Sequence, residues 1–553
     1  MLSIIVEQKL RSIQRFFATD RFAKAVTVLG FFLVFGFLAT IVYECFFYGF
    51  RYIARDAYFN ETVMLYVIEL FYLVSFALVF LSALLTAIFG LFRVKNDRPL
   101  MASPRYRFKV GLLAMRMFTT SLWPLLVIML PALLALHRVF ALALPGFFLG
   151  LVASVSLVAL ATFAALALVI IVALFLLAFD QFTMRTLTGA IAVLFALLAI
   201  LVWQRFIAVD LVVFFQAKAL DASVSDITPV IELFGVFPSH LAALVVYFFT
   251  FDDPGIAIPQ FAALVEMTLV TALLLTYLSK HMLLLWQKAE EGTGPVMQKG
   301  LKRMGGGLGS ELLAHARTPR AAVIAKEIIT FLRNPKGMAW LGFILFVWSI
   351  GSGASHLLSR GLGAERVASA LALTHLTMLE FGIMLYFVAM FVLRFAFPSF
   401  SSEQHTTWMV ASSPLPQSEV FLSKLRFFSS LFVLFVSVFA LMASSVLGLA
   451  FLPHVAFVFA ALVGTITLTS FGLSLGALYP NRETDDPERL STTMPGLGFV
   501  AGALLYAALG AYAVTRAGTS ACIVAVTVFT LCSLVGALLL SQKALRALRL
   551  SEY

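Results

Sequence analysis

The sequence predicts an all-α polytopic membrane protein. Three observations carry that prediction. Hydrophobic residues make up 61% of the 553. Charged residues make up only 12%, against about 25% in ordinary soluble domains. Apolar runs long enough to cross a hydrocarbon core, which needs about 20 helical residues, recur along the whole chain.

In chain order the runs place spans near 24–49, 62–92, 111–136, 146–178, 187–204 and 259–280, then near 337–358, 369–397, 427–451, 455–478, 494–514 and 521–541. The expectation is twelve transmembrane helices in two diverged sets of six. Residues 1–286 form the first half, 287–320 a cytoplasmic linker and 321–553 the second half. The 33-residue run at 146–178 exceeds a perpendicular crossing and predicts a tilted or kinked helix.

The halves carry related polar inserts about 310 residues apart, Lys95 to Lys109 and Ser402 to Phe427. Leu100-Met101-Ala102-Ser103-Pro104 in the first answers to Trp408-Met409-Val410-Ala411-Ser412-Ser413-Pro414 in the second. A water-facing loop repeated at one depth implies two related halves, each presenting a docking element on the same side of a membrane. Ahead of each half lies an amphipathic helix suited to the membrane interface. Val6, Leu10, Ile13 and Phe17 share one face in the first, and Ile324, Ile328 and Phe331 do so in the second, beside Lys326, Glu327 and Arg333. Asn334-Pro335 ends the second, because the residue before proline is pushed out of the α region.

Basic residues set the expected orientation. With a cytoplasmic N-terminus, Arg51, Arg55, Arg138, Arg205, Lys218, Arg360, Arg366 and Arg516 fall outside, leaving 31 of the 39 within. The positive-inside rule then puts both termini in the cytoplasm. The same rule and anionic lipid heads account for the +11 net charge without a nucleic-acid partner. Met1 to Arg21 scatters Glu7, Lys9, Arg11, Arg15 and Asp20 and reads as no cleavable signal.

Catalytic and ligand motifs are sparse. Gly305-Gly306-Gly307 and Gly309 sit in the linker, but no G-x-x-x-x-G-K-[ST] occurs, and a flexible connector is the expectation. Glu483, Asp485, Asp486 and Glu488 cluster in an inner loop without calcium-loop spacing, so no metal site is expected. Cys45, Cys522 and Cys532 fall inside spans and read as buried packing residues. The outer segment 205–259 is acidic and interrupted by apolar runs such as Leu241 to Phe249. It is expected to dip into or lie on the outer leaflet, packed on the span ends. Glu69 lies in the second span, 35 residues before Pro104, and Glu380 in the second span of the other half, 34 before Pro414. Acids at such depth either line a translocation path or accept hydrogen bonds from neighbouring spans.

Lys326-Glu327 followed by Arg333-Asn334-Pro335, the loops ending in Ser103-Pro104 and Ser413-Pro414, and the Tyr479-Pro480 to Asp486-Pro487 loop with Arg489 together resemble the ABC-2 type permeases of ATP-binding-cassette exporters, in their large two-halves-in-one-chain form. The first half departs from that pattern, having Lys9 and Arg15 but no Arg-Asn-Pro. The resemblance implies that each repeated loop docks on a separate ATPase subunit, two copies in all, through Met101, Ser103 and Pro104 and through Trp408, Met409, Ser413 and Pro414. Ser-Pro supplies an N-cap followed by proline at the first helical position, and methionine and tryptophan supply soft anchors. It also implies that this chain is catalytically inert, with no cofactor of its own and with ATP and Mg held by the partner. A twelve-span secondary transporter of the major facilitator type shares the layout; a membrane-embedded enzyme finds no H-E-x-x-H or Ser/His/Asp set to support it.

Overall fold

The computed structural model describes residues 21–55, 61–92, 108–140, 144–179, 231–251 apart from 233, 254–292, 318–333, 337–345, 369–403, 415–481, 493–515 and 520–550, with isolated residues between 183 and 197, Trp348 and 490–491. These residues are helical, with no strand among them. Ten helices among the described residues are long and apolar enough to cross a membrane, and they coincide with ten of the twelve expected spans. The two others, 187–204 and 337–358, lie largely outside the described residues. The chain is an all-α polytopic integral membrane protein.

It divides into two compact units, Gly36–Met304 and Met1–Phe35 with Gly305–Tyr553. Helix α1 (Arg21–Arg55) is divided between them.

In the unit Gly36–Met304 the core is built by α2 (Glu61–Phe92), α3 (Phe108–Phe140), α4 (Leu144–Ala178), α5 (Ser239–Phe251) and α6 (Pro254–Leu278). Pro124 removes a backbone donor from α3, and a π-helical turn over Leu125–Met129 follows at once. Helix α4 is apolar all round. Its buried stripe Gly146, Gly150, Ala153, Ser154, Leu157 and Ala161 is mostly small, which lets neighbouring backbones approach. A side chain at Gly146 would meet the Phe249 ring 3.0 Å away, and one at Gly150 would meet Val246 at 3.1 Å. Helix α5 occupies that space. Of the two courses expected for this segment, dipping into the outer leaflet or lying on it, the described part takes the first and inserts among α2, α4 and α6. Ala242, Ala243, Val245, Val246 and Tyr247 are buried, so α5 lacks the polar face that an interfacial helix needs.

In the other unit α7 (Pro319–Arg333) leads to α8 (Ser369–Phe391), α9 (Gln417–Val446), α10 (Phe451–Leu478), α11 (Met494–Thr515) and α12 (Ser520–Leu550). Helix α8 continues through a π turn, Val392–Ala396, into short 3-10 turns ending at Glu403. The irregular stretch rides over α10, where a side chain at Gly476 would run into the carbonyl oxygen of Phe397. Helix α9 ends at Leu447 and hands over to Gly448 at φ +59°, a left-handed conformation that glycine adopts without strain. Buried Trp348 stacks on Phe439 at 3.9 Å and belongs to the apolar core. Cys532, expected to be packed, is exposed, because it lies on the outward face of α12 while Thr530, Ser533 and Ala537 take the buried one.

Candidate functional site

Helix α7 starts at a defined place. Thr318 accepts from the Ala321 amide through Oγ1 at 3.2 Å and Pro319 takes the first helical position. Its apolar face is buried against protein, with Phe331 edge-on to Phe395 at 5.3 Å and to Phe427 at 6.0 Å. That register turns Lys326 and Glu327 toward the end of α8 and the first turns of α9.

There four charges alternate in sign. Lys424, on α9, is 0% exposed. Its Nζ donates to Glu327 Oε1 at 2.9 Å, to Glu403 Oε1 at 2.9 Å and to the Ser399 carbonyl at 3.4 Å. An ammonium has three donors, and all three are engaged. The Phe400 ring lies 5.3 Å away. Lys326 closes the set, donating to Glu403 and lying 3.5 Å from Glu327. Two lysines and two glutamates make the cluster neutral, which is how a charge survives burial. Nearer the start of α7, Arg320 grips Glu419 with a two-pronged fork, but there the arginine is 54% exposed and water competes.

Glu403 of the cluster is the last described residue before the segment 404–414. A related arrangement stands at the foot of 93–107: Lys109, the second residue of α3, is buried and donates from Nζ to the Leu91 carbonyl at the end of α2 at 2.8 Å. In both units a buried lysine near the start of one span thus ties it to the end of the preceding span.

A second polar site lies deeper in the unit Gly36–Met304. Glu69 is 0% exposed, and its Oε1 lies 2.5 Å from Nδ1 of His240, the second residue of α5. One helical turn along α2, the Tyr72 hydroxyl is 3.0 Å from Ser154 Oγ on α4.

Of the residues that the sequence singled out, the structure brings together Lys326 and Glu327 and buries Glu69 and Glu380, the latter at 4% exposure on α8. The side chain of Arg333, and Met101, Ser103, Pro104, Trp408, Met409, Ser413 and Pro414, lie outside the described residues, as do the N-terminal amphipathic helix and the acidic loop with Glu483 to Glu488. Sequence reading missed Lys109, Glu403, Lys424 and His240. The available signal was a charge or imidazole interrupting an apolar run, as in Phe421-Leu422-Ser423-Lys424-Leu425 and Ser239-His240-Leu241.

A family model described as "Putative ATP-binding cassette" matches residues 20–549. No curated protein and no solved structure matches the chain. The family match corrects three expectations. The chain is not placed among the ABC-2 permeases. A catalytically inert chain, and ATP and Mg held only by a partner, do not stand against a match of nearly full length to an ATP-binding cassette family. The residues behind those expectations, Ser-Pro and Arg-Asn-Pro, are short and recur by chance, and a six-plus-six layout is shared by unrelated functions. The described residues do not fit a nucleotide: no strand-to-helix turn is present among them, and the linker glycines lie outside them.

Proposed function

Because this chain belongs to the family described as "Putative ATP-binding cassette", we propose that it forms the membrane-spanning path of an ATP-binding-cassette transporter. The path is that of an exporter made of two diverged halves, in a bacterial plasma membrane with both termini in the cytoplasm. The loops 93–107 and 404–416 meet the ATP-hydrolysing units of the transporter through Met101, Ser103 and Pro104 and through Trp408, Met409, Ser413 and Pro414. The observation that carries this reading is Lys424. A fully buried cation bonded at once to α7 and to the end of α8 is a stiff joint at the foot of the second loop. Displacement of that loop reaches three helices together, and Lys109 gives the first loop the same grip on α2 and α3.

With Cys45, Cys522 and Cys532 replaced by alanine, the test places a fluorophore on Thr330→Cys, an exposed position of α7, in membrane vesicles from cells making the full chain. ATP is expected to change its emission, and the Met101→Asp, Met409→Asp double variant is expected to abolish the change while inserting normally. A change that persists in the double variant overturns the docking assignment. A change driven by an ion gradient without nucleotide overturns the ATP-driven reading in favour of a secondary transporter.

A further inference from the structure

Helix α5 begins in the interior of the membrane. It runs antiparallel to α4, since Phe249 faces Gly146 and Val246 faces Gly150. His240 lies six residues before Val246, and Gly150 six residues into α4. At about 1.5 Å per residue, His240 falls about 18 Å from the start of α4. From the α2 side, Glu69 lies eight residues after Glu61, about 12 Å. Centred on a core about 30 Å thick, α2 and α4, of 32 and 35 residues, overhang it by roughly 10 Å at this end, so both measures put the pair inside the hydrocarbon, in its outer third. At 13 residues α5 is about 20 Å long, too short to cross. It is a re-entrant half-helix.

The first turn of such a helix has amides without intrahelical acceptors and the positive end of the helix dipole. Glu69 faces that turn through His240. Two polar atoms there are buried without a hydrogen-bond partner among the described residues, Glu69 Oε2 and Ser239 Oγ, and both residues are 0% exposed. Among the described residues, the surrounding elements bring no basic group to Glu69 other than His240, and Glu232, ahead of α5, is exposed. Helix α2 contributes Tyr66 and Tyr72, and α5 contributes Tyr247. Helix α4 has no titratable residue. Glu266 of α6 and Glu44 of α1 are exposed, and on α3 His137 packs on Phe147 while Arg138 binds Tyr43. Among the described residues, His240 is the basic group in contact with Glu69.

A carboxylate alone at this depth is costly, so the pair is stable when it is neutral overall, with one proton shared as carboxylate and imidazolium or as acid and imidazole. We propose that Glu69 and His240 form a proton-binding site within the membrane whose occupancy holds the re-entrant helix α5 against α2. On release, the N–H or O–H bond breaks and the proton passes to water, leaving Glu69 negative beside a neutral imidazole. That uncompensated charge drives α5 away from α2 toward solvation.

The test needs no nucleotide, so its failure leaves the transporter reading standing. With Cys45, Cys522 and Cys532 replaced by alanine, a spin label is attached at Val236→Cys, an exposed position in the turn before α5. The full chain is then titrated in lipid vesicles. The mobile component is expected to grow severalfold as pH rises. In Glu69→Gln, which keeps the acceptor and removes the acid, it is expected to stay at its low-pH level. Infrared difference spectra of the unlabelled wild-type chain should show a buried carboxylic C=O band lost over the same pH range and absent from Glu69→Gln. A label insensitive to pH in the wild type, an equal response in Glu69→Gln, or a band that survives that substitution overturns the proposal. Should Glu69→Gln fail to fold, His240→Gln takes its place. That variant leaves the acid without a base, so the band should persist to higher pH; an unshifted band overturns the proposal.

Discussion

Replacing Lys424 by methionine tests whether the buried ionic cluster holds the foot of the second loop together. Methionine fills most of the same volume, so the change is chiefly one of charge. Lys424 sits 2.9 Å from each of two carboxylates. At an effective dielectric of about 20, each contact contributes about 6 kcal/mol before desolvation. Desolvating the ammonium offsets much of this, but it leaves the substitution costly: Glu327 and Glu403 would lose their buried cation and keep Lys326, itself 41% exposed. Breaking a buried pair in this way costs about 3–5 kcal/mol. At about 2–4 °C per kcal/mol, Lys424→Met should lower the Tm of the detergent-purified chain by about 10 °C, read by tryptophan fluorescence. Adding Glu327→Gln removes the stranded charge and should recover a large part of the loss, which a double-mutant cycle isolates. Arg320→Met, which breaks the exposed fork to Glu419, should leave Tm unchanged. A Lys424→Met chain that melts with the wild type, or a double variant that melts no higher than the single one, would refute the cluster as a structural joint.

Three further substitutions probe the packing around the ends of α2 and α8. Gly476→Ala drives a methyl into the Phe397 carbonyl, and backbone cannot rotate away as a side chain can; a loss of about 1–3 kcal/mol is expected in the same melting assay, whereas Gly342→Ala, with open space around it, should be neutral or stabilising. Lys109→Met leaves the Leu91 carbonyl without its charged donor and should cost about 1.5–3 kcal/mol, with faster proteolysis within 93–107 as the accompanying readout.

The spans were legible because hydrophobic run length is a direct readout of membrane thickness. The interior chemistry was less so, because its partners are distant in sequence: Glu327 and Lys424 meet across 97 residues, and Glu69 and His240 across 171. Single acids in apolar runs marked Glu69 and Glu380 as unusual without naming what they face. Helix α5 escaped notice for a different reason. Thirteen residues fall short of a span, and a helix buried on nearly all sides shows no amphipathic period, so Leu241 to Phe249 reads equally as a surface-seeking apolar patch. The residues proposed to dock were marked by repetition, a signal that locates a feature without specifying the family that uses it.

The length of α4 makes lipid composition part of the energetics of this protein. Its 35 residues measure about 52 Å along the axis, against about 30 Å of hydrocarbon. The mismatch is absorbed by inclining the helix or by stretching the surrounding acyl chains, at fractions of a kcal/mol per Å. Helix α5 is seated on Gly146 and Gly150 of that same rod, so bilayers of different thickness impose different inclinations on the ledge that carries His240. Membrane thickness thereby becomes an elastic load on the half-helix, one that short-chain and long-chain lipids apply in opposite senses.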